Sequence, residues 1–159
     1  MKTFIDDIVN ILKIKHLTLA TCESLTGGMI ASNIINIPGA SKVFLGGLVT
    51  YTNEAKIKLA NVKETTLKER GAISKEVALE MAQGVIQKLK SDVAISITGN
   101  AGPNAYEAKP VGLAYTTIIL IDKAYTYKLN SSESERNTIR IDLTYQVLTR
   151  LLDLLKAFK

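Results

Sequence analysis

Ser24 stands in the stretch Thr21-Cys22-Glu23-Ser24-Leu25-Thr26-Gly27-Gly28, where hydroxyls and a carboxylate run into two glycines. A serine there could act as a nucleophile, with backbone N–H groups brought close to a ligand by residues that lack a Cβ. The same residues serve equally well as a helix cap, with Ser24 or Thr26 accepting from backbone amides and the glycines easing the bend. Nucleophilic chemistry requires a base next to the serine. The one histidine, His16, lies in a polar Lys-His connection and reads as a surface residue. The one cysteine, Cys22, has no nearby cation in sequence to activate it and reads as a small buried hydrophobe. A Ser/Lys pair needs no histidine, provided desolvation or a neighbouring charge lowers the lysine pKa. The segment Thr50-Tyr51-Thr52-Asn53-Glu54-Ala55-Lys56 offers such an amine together with a phenol. Taken singly, Lys56 is a solvated charge and Tyr51 is half-buried packing; the pair acquires chemical meaning only if Lys56 faces Ser24.

Two further groups could bind a ligand. Thr98-Gly99-Asn100-Ala101-Gly102-Pro103 follows an apolar run and presents backbone N–H groups able to hold a carbonyl, a phosphate or a ribose, or else forms an ordinary surface loop. Arg136 and Arg140 lie one helical turn apart, where their guanidinium groups could clamp a phosphate or simply face solvent.

The elements that must position these groups follow from periodicity. Phe4, Ile5, Ile8, Val9 and Leu12 make one apolar stripe, predicting an amphipathic helix over about residues 2–14. A strand is expected at 17–21, then a helix at about 26–36 that ends at Pro38-Gly39. Val43 to Thr52 reads as a strand, with Gly46-Gly47 marking a bulge or a close backbone approach. Short helices are predicted at 53–59, with Asn53 as N-cap, and at about 64–70, closing at Gly71. A longer one runs from the N-cap Ser74 to Lys90. Asp92 to Thr98 is a buried strand, followed by the loop 99–110. Strands at about 111–121 and 124–130 meet at Asp122-Lys123 as an antiparallel hairpin, which makes the sheet mixed. Ser132 with Glu135 reads as a capping box ahead of a long closing helix. Strands flanked by helices along the whole length predict a three-layer α/β/α sandwich with a mixed, mostly parallel sheet.

Composition narrows the function classes. At 159 residues one domain over 1–159 is expected. A single cysteine allows no disulfide within the chain, and one Cys with one His supplies too few soft ligands for a structural zinc site. A reducing, cytoplasmic setting follows. No signal-peptide core opens the chain and no apolar run is long enough to span a membrane, so a soluble protein is expected. The net charge of +5 is spread over scattered lysines, and without Trp there is no stacking platform for single-stranded bases. Nucleic acid is therefore not the expected partner, and a small anionic substrate fits the basic bias.

Six blocks taken in order carry a resemblance: Glu-Ser-x-Thr-Gly-Gly at 23–28, Phe-Leu-Gly-Gly-x-Val at 44–49, Tyr-x-Asn-Glu-Ala-Lys at 51–56, Gly-Ala-x-Ser-x-Glu-Val-Ala at 71–78, Thr-Gly-x-Ala-Gly-Pro at 98–103 and Lys-Pro-Val-Gly at 109–112. Together they resemble the carboxy-terminal domain of the CinA family, which also occurs alone as PncC-like nicotinamide-nucleotide amidases. The resemblance covers nearly the whole chain from residue 17 onward.

What it implies is a metal-free and cofactor-free deamidase that turns nicotinamide mononucleotide into nicotinate mononucleotide and ammonia. By position, Ser24 would be the nucleophile, Lys56 its general base, and Tyr51 the residue that orients or relays the proton between them. The amides around Thr26, Gly27 and Gly28 would be oxyanion donors, and Glu23 would hold either Lys56 or a substrate hydroxyl. Thr98, Gly99, Ala101 and Gly102, with Arg136 and Arg140, would serve the nucleotide and its phosphate. A homo-oligomer is also implied. At this length, the amino-terminal domain of full-length members and any pyrophosphatase activity tied to it are not expected. The chain departs from the pattern at Asn104-Ala105-Tyr106-Glu107-Ala108, where a glycine-rich segment is usual. It departs again at Ser134-Glu135-Arg136, in place of Gly-Asp-Arg, and at Leu25, where Cys is common. The altered 104–108 loop motivates the alternative reading, a nucleotide-binding module of the same fold with lost or altered catalysis.

Overall fold

The computed structural model describes residues Met1–Lys159. Its centre is β1, Leu19–Glu23, with every residue buried and a strand on either side. β2, Phe44–Val49, pairs with it on one side and β3, Val93–Gly99, on the other, both parallel. β4, Leu113–Leu120, runs antiparallel to β3, and β5, Lys123–Asn130, antiparallel to β4, giving the order β2-β1-β3-β4-β5. Only β4 opposes the other four, so the sheet is mixed and mostly parallel, as expected.

Helices cover both faces. α1, Phe4–Ile14, α2, Met29–Ile35, and α6, Arg136–Ala157, bury Ile8, Leu12, Ile30, Ile139, Leu143 and Leu148 against Leu19, Ile95, Ile97 and Ile118 of the sheet. On the opposite face, α5, Lys75–Leu89, lays Val77, Met81 and Val85 over Ala20, Cys22 and Ala94. The alternation Leu19/Ala20 and Ala94/Ile95 is the period-two pattern of a sheet with a core on each side. Two shorter helices, α3, Asn53–Ala60, and α4, Glu64–Arg70, flank α5. No helix is long and apolar enough to cross a membrane.

Several boundaries differ from the sequence expectations, each for a local reason. α2 begins at Met29 rather than near 26, because Gly27 and Gly28 take left-handed dihedrals with φ of 58° and 103°. β2 stops at Val49, and its bulge falls at Leu45, which is skipped between the pairs Leu19–Phe44 and Ala20–Gly46. Gly47 is the close approach: a Cβ there would lie 2.3 Å from Thr21 Oγ1. The N-cap of α3 is Thr52, whose side chain accepts from Ala55 N, rather than Asn53. The hairpin turn is Ile121-Asp122, with Ile121 at φ 60°, rather than Asp122-Lys123. Ser132 caps nothing; Glu135 is itself the N-cap of α6, accepting from Asn137 N and Thr138 N.

This order places the functional end of the molecule. β1 leads leftward to β2 and the chain later returns to β3 on its right, so a crevice opens beyond their carboxyl ends, where α/β sheets bind ligands. The ladder runs one residue past the strand on each side, with Thr50 N donating to Glu23 O at 2.8 Å and Ser24 N to Ile97 O at 3.0 Å.

The packing of α3 on α5 depends on Gly84, where a Cβ would lie 1.9 Å from the Ala60 carbonyl oxygen. Gly84→Ala should therefore destabilise the fold by about 1–3 kcal/mol through overpacking. That outweighs the roughly 1 kcal/mol that alanine gains over glycine in a helix interior. Urea denaturation of the two proteins measures the sign directly.

Candidate active site

Ser24 sits one residue beyond the central strand, 6% exposed, at the floor of the crevice. α3 brings Lys56 to it from the other side: Thr52 caps the first turn, and one turn on, the Lys56 side chain points inward, 1% exposed. Lys56 Nζ lies 3.0 Å from Ser24 Oγ and donates to the Thr50 carbonyl at 2.8 Å and to the Tyr51 carbonyl at 3.3 Å. Burial drives its pKa down from 10.5 to about 8, partly offset by the Cys22 thiol and the Glu107 carboxylate. In the neutral amine, two N–H groups satisfy the two carbonyls and the single lone pair is left facing the serine hydroxyl. Chemically, this is the geometry in which an amine can take a proton from a serine hydroxyl.

Tyr51 departs from the expected relay. Its main-chain oxygen holds Lys56, while its phenol, on a side chain largely exposed, accepts from Arg136 Nη2 at 3.0 Å. The hydroxyl forms no hydrogen bond with Ser24 or Lys56.

Glu23 also departs from both expected roles. Its buried carboxylate accepts from Thr26 Oγ1 at 2.7 Å and from the amides of Ile30 and Ala31 at 2.9 and 3.0 Å. It therefore caps α2 from the strand below and touches neither Lys56 nor the crevice. Capping by Ser24 or Thr26 does not occur, because the left-handed Gly28 is the N-cap and carries no side chain. Gly27 N is committed to a turn onto Ser24 O at 3.1 Å, whereas the amides of Leu25, Thr26 and Gly28 donate to no group of the protein.

The two arginines divide. Arg140 is spent on the turn, its Nε donating to Leu25 O at 2.7 Å and its Nη2 to Thr26 O at 3.2 Å. Arg136 lines the crevice and donates through Nη1 to the Gly102 carbonyl. In the 98–103 loop, Thr98 Oγ1 donates to Ala72 O at 2.8 Å, and Gly102 N donates to Asn100 Oδ1 at 2.9 Å. Thr98, Gly99, Ala101 and Gly102 all border the cavity, so the loop forms one wall although some of its polar groups are already paired.

The cavity so enclosed has a volume of about 540 Å³, within the range of small-molecule sites. Ser24 and Lys56 stand on one side, Thr98 to Tyr106 on another, Ala72 and Ile73 on a third, and Tyr51 with Arg136 at the rim. No three His, Cys, Asp or Glu side chains cluster in a way that could hold a metal ion. Cys22 is fully buried 3.5 Å from Thr50 Oγ1, and burial pushes its thiol up to about 11. His16 is exposed, as expected.

Sequence reasoning placed Glu107 in the departing 104–108 segment and Lys109 in a motif block but gave neither a role. Glu107 accepts from the amides of Ala72 and Ile73, and Lys109 donates to carbonyls of the same strip. These partners lie more than thirty residues away and follow no periodicity, so only the folded chain pairs them.

Comparison with known proteins follows the same lines. A family model described as the CinA C-terminal domain matches residues 1–155. A putative competence-damage inducible protein of Clostridioides difficile is 45% identical over 152 residues, covering 94% of this chain and 36% of that protein. The chain thus spans little more than a third of the length of the curated relatives it matches. Among solved structures, a competence-damaged protein (CinA) superfamily protein from Escherichia coli superposes with a TM-score of 0.92 at 32% identity, covering 95% of this chain and 88% of the other. The competence/damage inducible protein CihA from Agrobacterium tumefaciens superposes with a TM-score of 0.86 at 31% identity, covering 97% of each.

The Glu23 contacts predict a structural cost. Glu23→Gln keeps the size of the side chain but sets an NH2 group among three donors, and should lower the unfolding free energy by about 1–3 kcal/mol. Chemical denaturation of parent and variant at neutral pH measures it.

Proposed function

The chain belongs to the CinA C-terminal domain family, and from that membership and the Ser24–Lys56 pair we propose that it is an amidohydrolase converting nicotinamide mononucleotide to nicotinate mononucleotide and ammonia. The observation that carries the reading is the buried lysine amine 3.0 Å from the serine hydroxyl at the floor of a cavity of small-molecule size.

In this reading Ser24 Oγ attacks the carboxamide carbon while its proton passes to Lys56 Nζ. The carbonyl oxygen gains the negative charge, which the free amides of Leu25 and Thr26 beside the nucleophile are available to receive. Collapse of the intermediate breaks the C–N bond, with the Lys56 ammonium returning the proton so that ammonia leaves and an ester to Ser24 remains. Water then attacks the ester, Lys56 takes its proton and returns it to Ser24 Oγ, and the nicotinate nucleotide departs. Lys56 is suited to both directions because its pKa, about 8, lies close to neutrality. The guanidinium of Arg136 is the group we assign to the substrate phosphate, since it lines the cavity whereas Arg140 is fastened to the turn and does not.

The binding-only alternative drew on the glycine-poor loop 104–108. Glu107 and Ala108 adopt the left-handed dihedrals themselves, with φ of 54° and 57°, and so supply the turn without glycine. That geometry favours the amidase reading.

Purified protein should release ammonia from nicotinamide mononucleotide. Ser24→Ala and Lys56→Ala should each reduce the rate by about a thousandfold or more; substrate left intact by well-folded parent protein would overturn the reading. The working base is the neutral amine, so kcat/KM should rise with pH, bending to a plateau near pH 8, and fall about tenfold for each pH unit below it.

A further inference from the structure

The chain's departure from the family pattern at 104–108 has a compact structure of its own. Tyr106 and Lys109 pair as a bridge, Lys109 N donating to Tyr106 O at 2.9 Å and Tyr106 N to Lys109 O at 3.3 Å. Between them Glu107 and Ala108 are both left-handed, the backbone of a type I′ turn that ordinarily takes Asn-Gly. Neither residue favours that conformation, so contacts outside the turn must hold it.

Those contacts are four hydrogen bonds to one strip of chain. The Glu107 carboxylate accepts from Ala72 N at 2.9 Å and from Ile73 N at 3.1 Å, one oxygen to each. The Lys109 ammonium donates to Arg70 O at 3.0 Å and to Ile73 O. Gly71 leaves room for this, since a Cβ there would lie 2.8 Å from Glu107 Oε2. Asn100 ties the base of the loop, donating to Asn104 O at 3.0 Å and Lys109 O at 3.3 Å. Ala72, Ile73 and Tyr106 all line the cavity, so the two prongs join two of its walls into one.

We propose, on the reading that this cavity receives a nucleotide, that residues 106–109 are a latched wall of the substrate site and that Glu107 is the positioning residue that sets substrate affinity. Glu107 acts through Ala72 and Ile73 and through the placement of Tyr106 at the cavity edge.

The test is steady-state kinetics of the full chain on nicotinamide mononucleotide. Glu107→Ala should raise KM about tenfold, the equivalent of one lost charge-assisted hydrogen bond. Its kcat should stay within about threefold, because β1 and α3 set the Ser24–Lys56 geometry without the loop. Glu107→Gln, which keeps one acceptor and loses the charge, should give an intermediate KM. Lys109→Met removes the other prong and should also raise KM. A KM in Glu107→Ala equal to that of the parent overturns the latch and leaves the amidase reading standing. A parent protein that leaves the nucleotide intact overturns the amidase reading; the latch is then judged by calorimetric binding of nicotinamide mononucleotide to Ser24→Ala with and without Glu107→Ala. Weaker binding in the double variant supports the latch, and equal affinity, or binding by neither protein, overturns it.

Discussion

A lysine amine held out of water is the constraint on which this structure turns. An ammonium buried to 1% exposure would be costly unless its hydrogens were paired, and here the pairing is done by main-chain oxygens that no side-chain substitution can remove. The Thr50 and Tyr51 carbonyls are free for this because β2 ends at Val49 and the chain turns into α3. The end of one edge strand thus fixes the amine, the end of the central strand fixes the hydroxyl, and the sheet register between them fixes the distance.

The turn that carries Ser24 is held by groups that do no chemistry of their own. Glu23 reaches forward to the amides of α2 and Arg140 reaches back from α6 to the carbonyls of Leu25 and Thr26, so opposite charges bind opposite ends of the peptide dipoles. Capping and presentation of the Ser24 hydroxyl are consequently separate duties: Glu23 caps the helix and Ser24 is left to Lys56. The crevice walls are built on the same plan, with Thr98 on Ala72, Arg136 on Gly102 and Glu107 on Ala72 and Ile73, each a side chain fastened to main chain of another segment.

Much of the architecture was legible in the chain. The stripe Ile5, Ile8, Val9, Leu12 and the repeat Val77, Ala78, Met81, Ala82, Val85 have helical spacing because one face of each meets a sheet, and both helices lie where the spacing puts them. Strand edges and caps were less legible. Whether Thr52 or Asn53 caps α3, and whether Ser132 or Glu135 caps α6, depends on which residue leaves the helical region first, and several neighbours have suitable side chains. The site residues were legible as types in ordered motifs, although their contacts were not: Glu23, Tyr51 and Arg140 all lie in or beside the crevice, yet each bonds a different partner from the one its position suggested.

By itself the sequence determined the class of fold, the order of its elements, the family to which the chain belongs and the candidate pair Ser24 and Lys56. These depend on patterns within ten or twenty residues, or on blocks whose order survives without knowledge of their distances. Tertiary structure alone decided that the amine of Lys56 is buried against the hydroxyl of Ser24, that one arginine lines the cavity while the other is spent on the turn, and that Glu107 fastens the loop lacking glycine. The reason is physical: desolvation, hydrogen-bond competition and a pKa near 8 arise from atoms far apart in the chain, and only folding brings them within 3 Å.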